Sequence, residues 1–272
     1  MADGDDVKER LAGVFSRASM KYDDVIPFFE TFARRLVEAA HLEPGMRVLD
    51  LACGRGACAR AAAAFVDVHG LVIGIDLAEG MIAATSSELR AVGTGNVHVL
   101  VGDAEDLEFT NSSFDAVVCG LAVFFFPKPL RALGECRRVL TPGGTFAAST
   151  FLDGIGGYAW LGDAARAVAR EPPVAKSSVL TSAGLRDALE RVGFKAIATT
   201  NVEARFVFRD VDEFLAWSWS TAGRGLLEQL NNTDMGTYRT VCADALAAHA
   251  TDDGYEFRQT VELTTATRGA GV

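Results

Sequence analysis

The sequence predicts an α/β fold: a seven-stranded, mostly parallel sheet that ends in an antiparallel hairpin and carries a helical lid. Three observations carry this expectation. From residue 46 onward, short apolar runs alternate with helix-length stretches, the rhythm of βαβ units. The first run, Val48-Leu49-Asp50-Leu51-Ala52-Cys53-Gly54-Arg55-Gly56, passes through an acidic residue into a glycine turn and then an alanine-rich stretch. That is the strand–turn–helix which opens the ligand crevice of a Rossmann-like sheet. Near the C-terminus the rhythm breaks into two long strand-like segments.

Residues 7–42 read as helical, because Val14, Phe15, Phe28, Phe29, Phe32, Leu36 and Val37 recur at helical spacing and Pro27 suits a helix start. Residues 1–45 are therefore expected to form a helical lid segment, and 46–272 the main domain. After Pro44-Gly45 the expected strands are Val48–Leu51, Leu71–Ile75, Val97–Val101, Phe114–Cys119 and Thr145–Ser149. Helices are expected at 57–68, 79–91, 128–140 and 182–192. Phe194–Phe208 is β-branched and aromatic enough for a strand, and Tyr255–Thr267 alternates as one. Between them lies a helical insertion at about 211–250. With no crossover helix placed for parallel pairing, these two strands are expected to form an antiparallel hairpin at one sheet edge. Pro142-Gly143-Gly144 is expected to stop a helix and turn the chain into the fifth strand.

The net charge of −10 argues against nucleic acid or an anionic membrane surface as the main partner. No apolar run approaches the ~18 residues of a membrane span. Met1–Glu9 carries four acidic residues and no basic n-region, so it does not read as a signal peptide. The five cysteines form no C-x-x-C pair, which suits reduced thiols, a cytoplasmic setting and no metal site. The amphipathic N-terminal segment leaves room for a homo-oligomer.

Candidate binding residues fall where parallel strand ends converge. Gly54 and Gly56 let the backbone turn sharply and approach a ligand. Asp50 would repel a pyrophosphate but suits an ammonium group. Asp76, closing the second strand, can accept from vicinal ribose hydroxyls. Asp103 can accept from an adenine amino group, and Cys119-Gly120 leaves space over the fourth strand. A rival reading stays open at this point. Gly54-Arg55-Gly56-Ala57-Cys58-Ala59 fits the dinucleotide pattern G-x-G-x-x-A, with Asp76 about 20 residues further on, as an NAD-dependent oxidoreductase would have. Asp50 and the absence of a Tyr-x-x-x-Lys pair weigh against it.

The chain resembles the class I S-adenosylmethionine-dependent methyltransferases, in the branch of the menaquinone and ubiquinone methyltransferases. The resemblance rests on the Val48–Gly56 motif, Gly74-Ile75-Asp76-Leu77-Ala78-Glu79-Gly80-Met81 and Gly102-Asp103-Ala104-Glu105-Asp106-Leu107, followed by Ser113–Val118 and Glu135–Gly144. It implies S-adenosylmethionine as cofactor. Asp50 is then expected at the ammonium, Gly54 and Gly56 at the methionine and ribose portions, with Ala52 in the same loop. Asp76 would hold the ribose. Leu77 and Met81 would flank the adenine, with Asp103, Ala104 and Glu105 at its edge, and Cys119 and Gly120 would line the sulfonium end. Tyr22, ahead of the first strand, is a candidate contact from a segment folded over the cofactor.

No catalytic base is marked in the sequence, since methyl transfer is an in-line displacement that orientation can drive. Acceptor-binding residues are expected outside the shared motifs: Phe124 and Phe125 after the fourth strand, Tyr158 and Trp160 after the fifth, and Phe214 and Trp217 in the insertion. Aromatics around one rim favour an apolar or aromatic small molecule, methylated at carbon, nitrogen or oxygen; the Ala-, Gly- and Arg-rich composition resembles bacterial proteins in which such enzymes tailor secondary metabolites. A cofactor-binding protein that does not methylate, or a cyclase, is the other expectation.

Overall fold

The structure, a computed structural model, describes residues 4–152, 159–168 and 181–270. Strands β1 (Arg47–Leu51), β2 (Leu71–Asp76), β3 (Val97–Val101), β4 (Phe114–Cys119) and β5 (Leu140–Phe151) run parallel in the order β3-β2-β1-β4-β5. The chain builds outward from β1 to β3, then returns to the other side of β1 at β4. That reversal is the switch point at which an open sheet leaves a crevice beyond its carboxyl ends.

Helix α3 (Ala57–Val66) packs closely because its inward residues are small, Cys58, Ala59 and Ala62 being buried with Val66. It stops two residues short of the expected end, where Asp67 takes a left-handed φ of 60°. Helix α4 (Glu79–Val92) ends at left-handed Gly93, and α5 (Pro129–Val139) starts with its proline in the first turn.

β5 begins five residues earlier than expected, at Leu140. Pro142-Gly143-Gly144 is a bulge inside it: Phe114 pairs with Leu140, and the register then shifts so that Ala116 pairs with Thr145. Gly143, at φ 83°, supplies the left-handed step. The helix has already ended at Val139, so this segment bends a strand and does not terminate a helix.

The two long C-terminal strands are β6 (Phe194–Phe208) and β8 (Gly254–Arg268), joined by antiparallel pairing as expected. Their placement is more specific than a hairpin on an edge. β8 slots between β5 and β6, antiparallel to both, leaving β6 outermost. Burial explains the order, since β8 buries Phe257, Val261, Leu263 and Ala266 while most of the β6 residues from Lys195 to Arg205 face solvent. A two-residue strand β7 (Ala250–Thr251) pairs with the start of β8.

Helix α1 (Gly4–Ala18) and α2 (Phe28–Ala39) precede the sheet. α2 buries Phe28, Phe32, Leu36 and Val37 and packs on the β5, β6 and β8 side. Pro27 stands at its N-cap. Helices α6 (Ala159–Ala167) and α7 (Ser182–Val192) follow β5, and the insertion forms α8 (Val211–Trp219), α9 (Arg224–Leu227) and α10 (Asn232–Ala247).

Asp210 caps α8 by accepting from the Glu213 amide at 2.8 Å. This fixes the helix directly after β6, so Phe214 and Trp217 turn inward onto Phe208. Trp217 packs 5.4 Å from Phe28, 5.7 Å from Phe208 and 6.2 Å from Phe257. These two residues, expected at the acceptor pocket, belong to the aromatic core. Trp217→Phe is therefore expected to cost about 1–2 kcal/mol of stability, read by thermal unfolding, with cofactor affinity unchanged. A tenfold change in cofactor affinity would show that the ring serves the ligand crevice.

Candidate active site

The turn after β1 is held in an uncommon backbone conformation. Ala52, Gly54 and Gly56 all have positive φ, at 55°, 50° and 74°. For Ala52 this is a strained position, of the kind found at ligand sites. Gly56 serves as the N-cap of α3, and a Cβ there would meet the Thr85 methyl at 3.0 Å. Thr85 on α4 donates to the Gly54 carbonyl at 3.0 Å. From the neighbouring strand, Asp76 accepts the Gly54 amide on Oδ2 and the Ala78 amide on Oδ1, each at 2.8 Å. One carboxylate thus ties the tip of β2 to the glycine turn of β1.

Beyond the strand ends lie two joined crevices. The first takes its walls from Asp76, Leu77 and Met81 after β2, from Asp103, Ala104 and Glu105 after β3, and from Phe125 after β4. Asp50 and Arg55 line the second, with Asp23, Phe29 and Ser149. Tyr22, Ala52, Gly54 and Gly120 border both. Two residues expected at the ligand do not line either crevice. Gly56 sits behind the turn as a cap, and the Cys119 side chain is fully buried in the core. Gly120 beside it does line both, and only a glycine fits there, since a Cβ would lie 2.7 Å from Cys58 Sγ.

The crevice is acidic, with eight carboxylates and three cations along its two halves. Burial pushes the Asp50 carboxyl up to about 8, against a lowering influence from the Ala59 amide. Its Oδ2 is buried with no hydrogen-bond partner among the described residues. Burial also raises Asp76, although the Ala78 and Gly54 amides favour its charged form. At the far end Lys8 of α1 pairs with Asp103 at 2.7 Å and Glu105 at 2.5 Å. Burial pulls the Lys8 ammonium down, but the two carboxylates outweigh it and hold it above its usual value. The sequence gives no local signal for Lys8, which lies 95 residues from Asp103.

Residues 4–22 form a strap over the crevice. Gly80 at the start of α4 lets it sit close, since a Cβ there would lie 2.6 Å from the Ser16 carbonyl oxygen. The Gly80 amide donates to Ser16 Oγ at 3.2 Å. Arg17 reaches across to Glu228 beyond α9. Tyr22 stacks on Phe29 with ring centres 4.7 Å apart, and burial holds its phenol well above the usual value. Gly80→Ala is expected to lift the strap and weaken cofactor binding about tenfold, measured by calorimetry. Undiminished affinity would mean that the strap contributes nothing to binding.

Aromatic rings continue along the rim. Phe15 meets Tyr22 at 6.3 Å and Phe125 at 5.3 Å; Phe125 then meets Phe124 at 4.9 Å, and Phe124 meets Phe151 at 5.5 Å. Phe125 lines the first crevice, whereas Phe124 is buried and supports it from behind. Phe15 and Phe29 were read from the sequence only as helix-periodic apolar residues; nothing local marks them as crevice lining. Tyr158 and the Trp160 side chain lie outside the described residues.

A sequence-family profile described as "Methyltransferase domain" matches residues 49–148. The nocamycin O-methyltransferase of Saccharothrix syringae is 28% identical over 260 residues, covering 90% of this chain and 91% of that protein. Residues 49–148 are a methyltransferase domain, and the matches support the class I S-adenosylmethionine-dependent methyltransferases as its family. Aklanonic acid methyltransferase of Streptomyces sp. (strain C5) is 39% identical over 141 residues, 52% of this methyltransferase and 64% of the relative. Demethylmenaquinone methyltransferase of Staphylococcus haemolyticus is 33% identical over 149 residues, 53% and 62% of the two chains. These last two alignments therefore span less than two thirds of the relatives' lengths.

Among solved structures, the YcgJ protein of Bacillus subtilis superposes with a TM-score of 0.63 at 20% identity, over 89% of this methyltransferase and all of that chain. Phosphoethanolamine N-methyltransferase 2 of Haemonchus contortus, in complex with S-adenosylmethionine, reaches 0.57 at 18% identity, over 88% and 52% of the two chains. At such identities these likenesses speak for the fold. The methyltransferase matches support S-adenosylmethionine as the cofactor. The crevice fits such a group: it is acidic, it holds a buried Asp50 carboxyl oxygen with no partner among the described residues, and a Cβ at Gly54 would meet only open space. A dinucleotide would set its pyrophosphate at the glycine turn beside Asp50, which disfavours the NAD reading.

Proposed function

We propose that this methyltransferase methylates an apolar or aromatic small-molecule metabolite of secondary metabolism at oxygen, nitrogen or carbon. The observation that carries this is the run of rings Phe29, Tyr22, Phe15 and Phe125 lining the crevice, backed by Phe124 and Phe151. Such a rim buries flat apolar surface and keeps water from the reacting atoms. The named activities of the nocamycin and aklanonic acid relatives support the metabolite class.

In this reading Asp76 accepts from the ribose hydroxyls and Asp50 takes the ammonium group. Leu77 and Met81 flank the adenine, and Asp103 shares its carboxylate between the adenine edge and Lys8, with Ala104 and Glu105 alongside. Ala52, Gly54 and Gly120 keep the backbone low enough for the donor to lie across it. Tyr22 and the rings face the sulfonium, where π-faces favour positive charge. When bound, the donor supplies an electrophilic methyl carbon on a cationic sulfur. The chain's own part is alignment of the nucleophile and exclusion of water.

The test is incubation with methyl-labelled S-adenosylmethionine and a panel of hydroxylated aromatic metabolites, with charged hydrophilic acceptors as contrast. Label in apolar aromatic products is the expected result. Label only in hydrophilic products would overturn the acceptor class. Donor binding with no labelled product across the panel would favour a non-methylating role.

A further inference from the structure

The chain leaves β4 for the crevice through a backbone step that is strained and held from outside. Leu121, which borders both crevices, takes a left-handed φ of 49°. A leucine keeps that conformation only where its surroundings fix it. The pairing of β4 with β5 ends at Cys119 and Ala148, so the Leu121 amide has no ladder partner. Ser149, the next residue of β5, supplies one: its Oγ accepts the Leu121 N–H at 2.9 Å in a buried bond. Ser149 is itself 1% exposed and lines the second crevice. The Gly120 backbone lies against Cys58, which stops the step from yielding in that direction.

Just beyond Leu121 the chain makes one tight turn, Val123–Phe125, closed by the Phe125 amide donating to the Ala122 carbonyl at 2.9 Å. That turn carries Phe125 onto the crevice wall and Phe124 behind it, where Phe124 meets Phe151 at 5.5 Å. Ser149 and Phe151 are alternate residues of one strand. β5 therefore holds the turn at two points, by a hydrogen bond at its root and by a ring at its far end. Resting on the acceptor reading above, we propose that Ser149 is a positioning residue for methyl transfer. Acting through Leu121, it sets where the Phe125 ring stands and so the line along which the acceptor's nucleophile meets the donor. The ring contact alone lets the turn slide; the hydrogen bond is directional and fixes it. An error of about 1 Å at the reacting atoms costs up to about 100-fold in rate, so a hydroxyl that touches neither substrate can govern turnover.

The experiment separates donor binding, turnover and the local hold on the turn. In Ser149→Ala, S-adenosylhomocysteine affinity by calorimetry should stay within about threefold of wild type. With naphthol and alizarin as acceptor probes, kcat for label transfer should fall about 10- to 100-fold while KM moves by less than about threefold. Hydrogen–deuterium exchange at residues 121–126 should quicken at least about tenfold, because the strained step has lost its tether. Ser149→Thr keeps the hydroxyl and should restore both turnover and slow exchange. If the alanine variant fails to fold, Ser149→Cys replaces it, since a thiol is only a weak acceptor and the same split is expected. Donor affinity that falls as far as kcat overturns the proposal, and so does unchanged kcat, unchanged exchange at 121–126, or a threonine variant as impaired as alanine. Should the wild type label neither probe nor any other acceptor of the panel, the acceptor reading fails, and exchange at 121–126 still decides whether Ser149 holds the turn.

Discussion

Asp76→Ala is expected to weaken S-adenosylmethionine binding by at least about 100-fold, since under the proposed reading its carboxylate would accept two charge-assisted hydrogen bonds from the ribose, about 1.5–3 kcal/mol each. The sequence alone suggests that the fold would be untouched. The structure adds a second cost, since the same carboxylate accepts the amides of Gly54 and Ala78. Removing it strands two donors near the crevice, at about 1–3 kcal/mol each if they stay buried. The variant should therefore melt lower as well as bind poorly. Calorimetry with S-adenosylhomocysteine, alongside thermal unfolding, separates the two effects. An affinity within tenfold of wild type would detach Asp76 from the ribose.

Asp50→Asn is expected to stabilise the free protein and damage donor binding at the same time. Burial pushes the Asp50 carboxyl up to about 8, far above its ordinary value, with Asp76 adding to the rise and Arg60 and the Ala59 amide opposing it. Between about pH 4 and this value the folded chain holds a proton that the unfolded chain has released. Stability from this group is thus present at low pH, falls as pH rises, and is fully lost above the folded value. Asparagine removes that dependence, so the variant should melt higher than wild type near pH 8 without ligand. Binding runs the other way, because an ammonium group pairs with the carboxylate and not with the neutral acid. Wild-type affinity should climb by up to about tenfold per pH unit below the folded value and level off above it. Asp50→Asn should show a weak, flat profile. Titrations across this range, repeated in buffers of different ionisation enthalpy to count released protons, check both statements. A pH-independent wild-type affinity with no proton release would remove Asp50 from the ammonium site.

These two carboxylates were legible in the sequence because they sit at the tips of short apolar runs, and strand tips in a parallel sheet converge on one side. Asp103 was legible for the same reason, though its capture by Lys8 was not. The misplaced residues share a cause. Phe214 and Trp217 follow a strand and are aromatic, as a pocket residue would be, but the Asp210 cap turns their helix face onto Phe208. Cys119 ends a strand at the crevice, yet its side chain points to the buried side. Periodicity tells which residues share a face; it does not tell which face meets the ligand.

What the sequence by itself determined was the five short strands of a mostly parallel sheet, the glycine turn and the acidic strand tips, since each follows from patterns spanning a few adjacent residues. What only the tertiary structure decided was the strap closed by Lys8, Gly80 and Arg55, the rings brought to one rim, and β8 seated between β5 and β6. Those features join segments from dozens to more than a hundred residues apart. They depend on side-chain shape, burial and charge meeting in space, which no local pattern along the chain encodes.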